Sequence, residues 1–498
     1  MPNLSFPSLI ELNPRVLRHE VGPRATLDDV PDSLPDRLAS QGFDWVWLLG
    51  VWQTGPEGRR ASRENEEWRR AYAEALPGFT EDDVCGSPFA IGAYRVHEDF
   101  GGDAALARLR ERFRGRGLRL LLDLAPNHTA LDHPWVQSHP EYYIHGSDED
   151  LAREPGNYKR LQTGRGPAVL AHGRDPYFPG WPDTLQLNYR HSGLRQAMIA
   201  ELLGIADRCD GVRCDMAMLL LPEVIARTWG ERSRPADGAD PVDAPFWPEA
   251  IAAVQARRPD FLFLAEVYWD LEWELQQQGF DYAYDKRLYD RLRAGDAPGV
   301  RAHLTAGLDF QRRCARFLEN HDEPRAAAVF PEGRHEAAAV ITYLTPAMRF
   351  FHDGQLEGRR VQPSVHLARW AAETPDAALS AFYSRLLDCL KRPEVRGGRW
   401  RLLTCRPAWD GNTTWDRFLV FTWDDGLGRR LLVCVNYGPV QGQCYVGLPK
   451  GEWRGGKWQL RDLFGDARYE RDGEELARRG LYLDMPAWGA QAFEATVV

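Results

Sequence analysis

Residues 211–217 read GVRCDMA, a short apolar run that ends in an arginine and, two positions later, an aspartate. Three other stretches share that design: LLLDLAPNHT (120–129), FLFLAEVY (261–268) and CARFLENHDEPR (314–325). Together they set Asp123, Asn127, His128, Arg213, Asp215, Glu266, His321 and Asp322 just past short hydrophobic segments. Buried parallel strands read as such runs, and in a (β/α)8 barrel the residues at the C-terminal strand ends form the active site. The spacing therefore predicts a TIM barrel of class α/β with these side chains gathered at one mouth.

Working outward, four more runs complete a set of eight candidate strands: LIEL (9–12), DWVWLLG (44–50), FDYAYD (280–285) and MRFFH (348–352). Helical stretches lie between them. DAALARLRERFRGRG (103–117) has Gly117 as its expected stop, and SGLRQAMIAELLGIADRC (192–209) has Ser192 as its expected N-cap. Residues 130–189, rich in Pro, Gly, His and Tyr, are too many for a plain connection and read as a functional insertion. After residue 396 the runs WRLLTCRPAW, RFLVFTW, RRLLVCVNYG and QCYVGLP, separated by turn residues, predict an antiparallel sheet domain.

Three lone carboxylates, Asp215, Glu266 and Asp322, come from three different strands. Splitting a glycosidic bond needs such a set. One carboxylic acid protonates the leaving oxygen, and one carboxylate attacks or stabilises an oxocarbenium-like carbon. Arg213 lies on the same face as Asp215 on a period-two strand, so its charge favours an ionised nucleophile there. Glu266 follows FLFLA, an apolar setting that favours a raised pKa and the acid role.

In this order the four stretches resemble the four conserved regions of the alpha-amylase family, glycoside hydrolase family 13. The resemblance covers roughly residues 5–395. It implies Asp215 as nucleophile, Glu266 as acid/base and Asp322 as a third carboxylate holding sugar hydroxyls. It also implies sugar-contacting roles for His128 and His321, with Arg213 beside the nucleophile and Asp123 in support. PDTLQLN (182–188) resembles a family motif before the fourth strand, and SPFAIGAYRVHEDFG (87–101) resembles the loop whose aromatic, here Phe89, stacks on sugar. The implied domains are a barrel over 1–129 and 190–395, domain B over 130–189 and a C-terminal β-sandwich over 396–498. The family's Lys-His pair after the nucleophile is replaced by Met218 and Leu219. RVLRHEVGPR (15–24) lacks the alternating Asp and Asn of a family calcium loop, so no metal and no cofactor are expected.

The implied activity is a retaining cleavage of α-glucosidic bonds in an oligosaccharide or disaccharide, by hydrolysis or transfer. Two other readings fit less well. A barrel that only binds sugar would lack one of the three carboxylates, and a metal-dependent hydrolase would cluster histidines at strand ends. A net charge of −10 argues against a nucleic-acid partner. No apolar run approaches the ~20 residues of a membrane helix, and no secretory leader is visible in MPNLSFPSLIELNPRVLRHE, which sets a cytoplasmic expectation. The eight cysteines form no C-x-x-C pair and are expected as buried free thiols.

One segment departs from the expected short connections. Residues 53–86 separate the second strand from SPFAIGAY, and within them SRENEEWRRAYAEAL (62–76) reads as a helix capped by Ser62. Trp68, Tyr72 and Leu76 fall on one face. The loop is expected to form a lid that restricts the site to short sugars.

Overall fold

The computed structural model describes residues 6–331, 333–449 and 451–498. Residues 1–5 and 332 of the expected barrel, and residue 450 of the expected C-terminal domain, lie outside the described residues. All eight expected strands are present: β1 Ser8–Leu12, β2 Trp45–Leu48, β3 Arg119–Leu124, β4 Gly211–Cys214, β5 Leu262–Ala265, β6 Tyr282–Tyr284, β7 Cys314–Arg316 and β8 Met348–His352. They close into a parallel barrel in sequence order, with β8 pairing back onto β1. Almost every strand residue is buried, because barrel strands face side chains inside and helices outside. The chain forms a (β/α)8 TIM barrel with a C-terminal antiparallel sheet domain.

The helices follow the predicted pattern with local differences at their ends. Helix Gly102–Arg114 stops three residues before Gly117, whose φ of +77° turns the chain into β3. Helix Ser192–Arg208 is capped by His191, whose ring accepts from the Leu194 amide, and not by Ser192. The expected single helix over 62–76 is two helices, Pro56–Glu64 and Glu66–Ala75. Asn65 separates them, because its side chain accepts from the Trp68 amide and caps the second. Ser62 is instead buried, bonded to the Tyr72 hydroxyl at 2.7 Å and His366 Nδ1 at 2.5 Å.

Between β3 and β4 the insertion builds two antiparallel ribbons, one pairing His128–Ala130 with Thr184–Gln186 and the other Tyr158–Thr163 with Gly166–Ala171. The first ribbon fastens the insertion directly to the end of β3. Beyond the barrel, a six-stranded and a three-stranded antiparallel sheet enclose a second core that includes Phe418, Cys434, Cys444, Trp453 and Trp458. This domain is not separate from the barrel. Trp423 packs edge-on against Phe6 with ring centroids 5.1 Å apart, and its indole N–H donates to the Leu344 carbonyl at 2.7 Å. Buried Arg349 of β8 donates to the carbonyls of Phe6 and Val395, tying the β1–β8 seam to the segment that enters the sandwich.

All eight cysteines are free, seven of them buried, with Cys85 half-buried. Among the described residues no helix is long and apolar enough to cross a membrane.

Candidate active site

Parallel pairing sets Asp123 of β3 directly beside Arg213 of β4. Arg213 has no exposure to solvent. Its guanidinium is caged by Trp47, Phe89 and Tyr284, with ring centroids 5.1, 5.2 and 5.9 Å away. A buried cation this deep requires compensating charge. It has three carboxylates. Nη1 donates to Asp215 Oδ1 at 2.6 Å and lies 3.7 Å from Asp123 Oδ1, and Nη2 lies 2.8 Å from Glu266 Oε2. One guanidinium thus touches both the expected nucleophile and the expected acid.

Just past Asp215 the chain turns sharply. Met216 has φ +45° and ψ +45°, the left-handed region, which costs a non-glycine residue about 1 kcal/mol or more. The turn directs the Met216 amide onto Glu266 Oε2 at 2.6 Å. The other oxygen of Glu266 accepts from the Tyr268 hydroxyl at 2.9 Å. Glu266 is 2% exposed. Burial pushes its pKa up to about 7, with Asp215 and Asp322 adding to the rise and Arg213 opposing it. Desolvation penalises the charged form, so near neutrality this carboxyl holds a proton it can donate.

Asp322 follows β7 in a turn shaped by Asn320, whose Oδ1 accepts from the amides of Asp322 and Glu323, both at 2.9 Å. Its side chain keeps 48% of its exposure. The surrounding protein tends to raise its pKa, but His321, with Nε2 3.0 Å from Asp322 Oδ2, outweighs that and holds it below the usual carboxylate range. His321 lies between two carboxylates, because its Nδ1 is 2.7 Å from Glu11 Oε1. Those two charges overcome burial and raise the imidazole well above its ordinary value.

The remaining expected residues surround this centre. His128 is buried, its ring packed edge-on to Trp181 of the insertion at 5.1 Å, and its Nδ1 has no protein partner. Burial lowers its pKa while nearby Asp215 pulls it up. Phe89 lies over Arg213 and against His321, centroids 5.6 Å apart. Asp123 is 1% exposed and accepts from the Gly50 amide at 2.8 Å. Its pKa is pushed up to about 6 by burial, against the pull of Arg213. It braces the end of β2 and Arg213 from behind the cleft.

Sequence reading missed four contributors: Glu11 at the end of β1, Trp47 of β2, Tyr268 and Tyr284. Their only signal was position, a polar or aromatic residue at a strand end inside a run read as plain strand. Glu319 shows that a strand-end carboxylate is no sufficient signal. It is buried behind the cleft and bonded to Arg325 Nη1 at 2.6 Å.

Asn127, just past β3, spends its amide on Gln186. Nδ2 donates to Gln186 Oε1 at 3.1 Å, and Oδ1 accepts from Gln186 Nε2 at 2.8 Å. This donor set does not fit the six to eight oxygens that calcium takes.

The family model for the alpha amylase catalytic domain matches residues 90–288, the span that carries His128, Arg213, Asp215 and Glu266. Over that span the chain is similar to the alpha-amylase family. Proteins similar to this chain include alpha-amylase MalA of Haloarcula japonica, 27% identical over 341 residues, a match spanning 67% of this chain and 41% of that protein. An alpha-1,4-glucan:maltose-1-phosphate maltosyltransferase of Burkholderia pseudomallei is 28% identical over 289 residues, 56% of this chain and 21% of that protein. Each of these matches spans less than half of the relative's length. Among solved structures, a noncanonic maltogenic alpha-amylase, AmyB, from Thermotoga neapolitana superposes over 100% of both chains with TM-score 0.69 at 17% identity. A trehalose-6-phosphate hydrolase of Bacillus licheniformis gives 0.67 over 100% of both chains at 13%. At these identities the likeness concerns the fold.

Proposed function

We propose that this protein is a retaining enzyme acting on α-glucosidic bonds through a covalent glucosyl intermediate, with hydrolysis of short α-glucosides as its main reaction. Asp215 is the nucleophile, Glu266 the acid/base, and Asp322 with His321 and His128 holds hydroxyls of the sugar that is transferred. The single observation that carries the reading is Arg213 lying between Asp215 and Glu266. Retaining enzymes hold their two carboxyl groups about 5–5.5 Å apart, against about 6.5–9.5 Å for inverting ones. A shared guanidinium favours the shorter spacing.

In the first half-reaction Asp215 attacks the anomeric carbon as the glycosidic oxygen takes the proton of Glu266 and leaves. In the second, the ionised Glu266 accepts a proton from water, whose oxygen displaces Asp215 and restores the α configuration. A sugar hydroxyl can take the place of that water. Transfer, as in a glucanotransferase or an isomerising synthase, is therefore the second reading, and the maltosyltransferase relatives favour it.

The test is product analysis on maltose, trehalose, sucrose, isomaltose and starch, with NMR of the first-formed anomer. The α-anomer is expected, and a β-anomer would exclude a covalent intermediate on Asp215. Asp215→Asn should fold normally and lose activity by several orders of magnitude. An active variant would remove Asp215 from the mechanism.

A further inference from the structure

A cavity of about 640 Å³ lies between the helix Pro14–Val21 that follows β1 and the segment that follows β2. None of Asp215, Glu266 and Asp322 lines it. Its volume falls in the range of about 300–1,000 Å³ that small-molecule sites occupy. Three arginines line this space, and the protein does not use them alike. Arg18 spends its fork on the chain: Nε donates to the Ala25 carbonyl at 2.7 Å, and Nη1 lies 3.2 Å from Asp99 Oδ2. Arg15 uses Nη1 alone, which donates to the carbonyls of Gly86 and Val365 at 2.6 and 3.0 Å. Arg59, on the helix Pro56–Glu64, uses Nε alone, which donates to the Val84 carbonyl at 2.9 Å. Among the described residues neither Arg15 nor Arg59 has a carboxylate at ion-pair distance, and their other nitrogens have no protein partner.

These two arginines meet at Gly86. The Gly86 carbonyl takes the Arg15 donor, and a Cβ added to Gly86 would lie 3.0 Å from Arg59 Cα. Burial pulls the Arg15 pKa down and Arg59 adds to the fall, against Cys85 and Asp99. Two like charges on one cavity repel each other, and an anion between them turns that repulsion into attraction. The cavity's own carboxylates do not fill this role. Asp83 is held by Arg369 at 2.6 Å and Asp99 by Arg18, while Asp82 and Glu98 are exposed. Arg15 also bridges two rim loops, because Gly86 stands three residues before Phe89 and Val365 lies in the chain after β8.

We propose that this cavity is a second binding site, separate from the catalytic cleft, for a sugar phosphate whose phosphate is held by Arg15 and Arg59. The planar fork of a guanidinium matches two phosphate oxygens, and such charge-assisted bonds are the strong ones. The space is larger than a phosphate alone fills, so the ligand carries a further group. Asp82 and Glu98 decide its character. Ionised carboxylates only accept hydrogen bonds, so they repel a second anionic group and receive hydroxyls. The remainder is therefore uncharged and rich in hydroxyls, as a sugar is. In the cleft, Asp215 and Asp322 repel a phosphate, which leaves the Arg15–Arg59 cavity as its place.

The test is titration calorimetry of the full chain with glucose 6-phosphate, inorganic phosphate and glucose. Both phosphates should bind, glucose 6-phosphate the more tightly. Arg59→Gln, a change at an exposed position, should weaken both by about tenfold or more, the loss of one charge-assisted contact, and leave the affinity for glucose unchanged. Arg59→Lys keeps the charge without the fork and should fall between. Arg15→Gln should weaken both phosphates as Arg59→Gln does. A wild type that binds neither phosphate would overturn the site, and so would an Arg59→Gln variant that binds both as tightly as wild type. Equal affinity for the two phosphates would overturn the sugar phosphate as ligand and leave a site for inorganic phosphate.

Discussion

Glu11, the penultimate residue of β1, lies 2.7 Å from His321 after β7, and through that imidazole it is coupled to Asp322. A buried carboxylate on one strand thereby fixes a charged group on another. Glu11 touches no expected substrate atom and is a positioning residue. Glu11→Gln removes one of the two charges that keep His321 protonated, so the pKa of His321 should fall. Misplacement of a site residue by about 1 Å can cost up to about 100-fold in rate, and a loss in kcat/KM of about tenfold or more is expected. NMR titration of His321 separates this role from general damage. If its pKa does not move, Glu11 does not act through the imidazole.

Glu266 must be protonated to act as acid, and burial raises it to about 7. Activity should therefore fall as pH rises through about 7. Stability carries the same sign. The folded state binds the proton more tightly than the unfolded state, so between roughly pH 4.5 and 7 stability falls as pH rises. Glu266→Gln abolishes that dependence, and its stability relative to wild type should be better at pH 8 than at pH 5. Denaturant titrations at the two pH values read this directly, and an equal difference at both would contradict the raised pKa.

Arg213 compensates three buried carboxylates within one aromatic cage. Removing one partner of such a buried ion pair costs about 3–5 kcal/mol, and Arg213→Ala is expected to lose that much in chemical denaturation. Arg213 also lowers the pKa of Glu266. In a milder Arg213→Lys variant that keeps the charge but loses the fork, the stability loss should be smaller while kcat falls. A variant as active as wild type would show that the shared contact is incidental.

The apolar face of the segment after β2 packs on the chain that follows β8. Trp68, Tyr72 and Leu76 pack with Phe79 and Val84 against Leu367 and Ala371, from the chain after β8. Arg369 grips Asp83 with two nitrogens at 2.6 and 3.0 Å, and Val84 pairs with Leu367. The expected lid is thus strapped to a second rim loop. Arg369→Ala should loosen the strap and raise the ratio of starch to maltose activity. A ratio that stays fixed in a folded variant, or a wild type that already prefers starch, would remove the lid from the account.

The barrel was legible because its strands are buried on both faces and therefore read as apolar runs that end in a chemical side chain. Asp215, Glu266 and Asp322 stood out because a lone carboxylate after such a run has few structural uses. The contacts that tune them were not legible. Glu11 and His321 are 310 positions apart in the chain, and only barrel closure brings β1 near β7. Trp47 and Tyr284 looked like ordinary strand aromatics, since a cage around Arg213 has no period in sequence. Asn65 was hidden inside a helical pattern because a cap that restarts a helix changes hydrogen bonds without changing the apolar face. The cap at His191 is hidden because serine is the commoner N-cap, while here the imidazole Nδ1 accepts from the Leu194 amide.

The seam where the barrel closes is held partly by the C-terminal domain. Phe6 and Arg349 at β1 and β8 are bonded to or packed on Trp423 and Val395. Opening the last barrel contact therefore uncovers the sandwich side of the same core, and neither domain can loosen alone without exposing apolar surface. Barrel and sandwich are therefore expected to unfold together, so that a substitution at Trp423, far from Glu11 and Trp47, should loosen the strand ends that carry them.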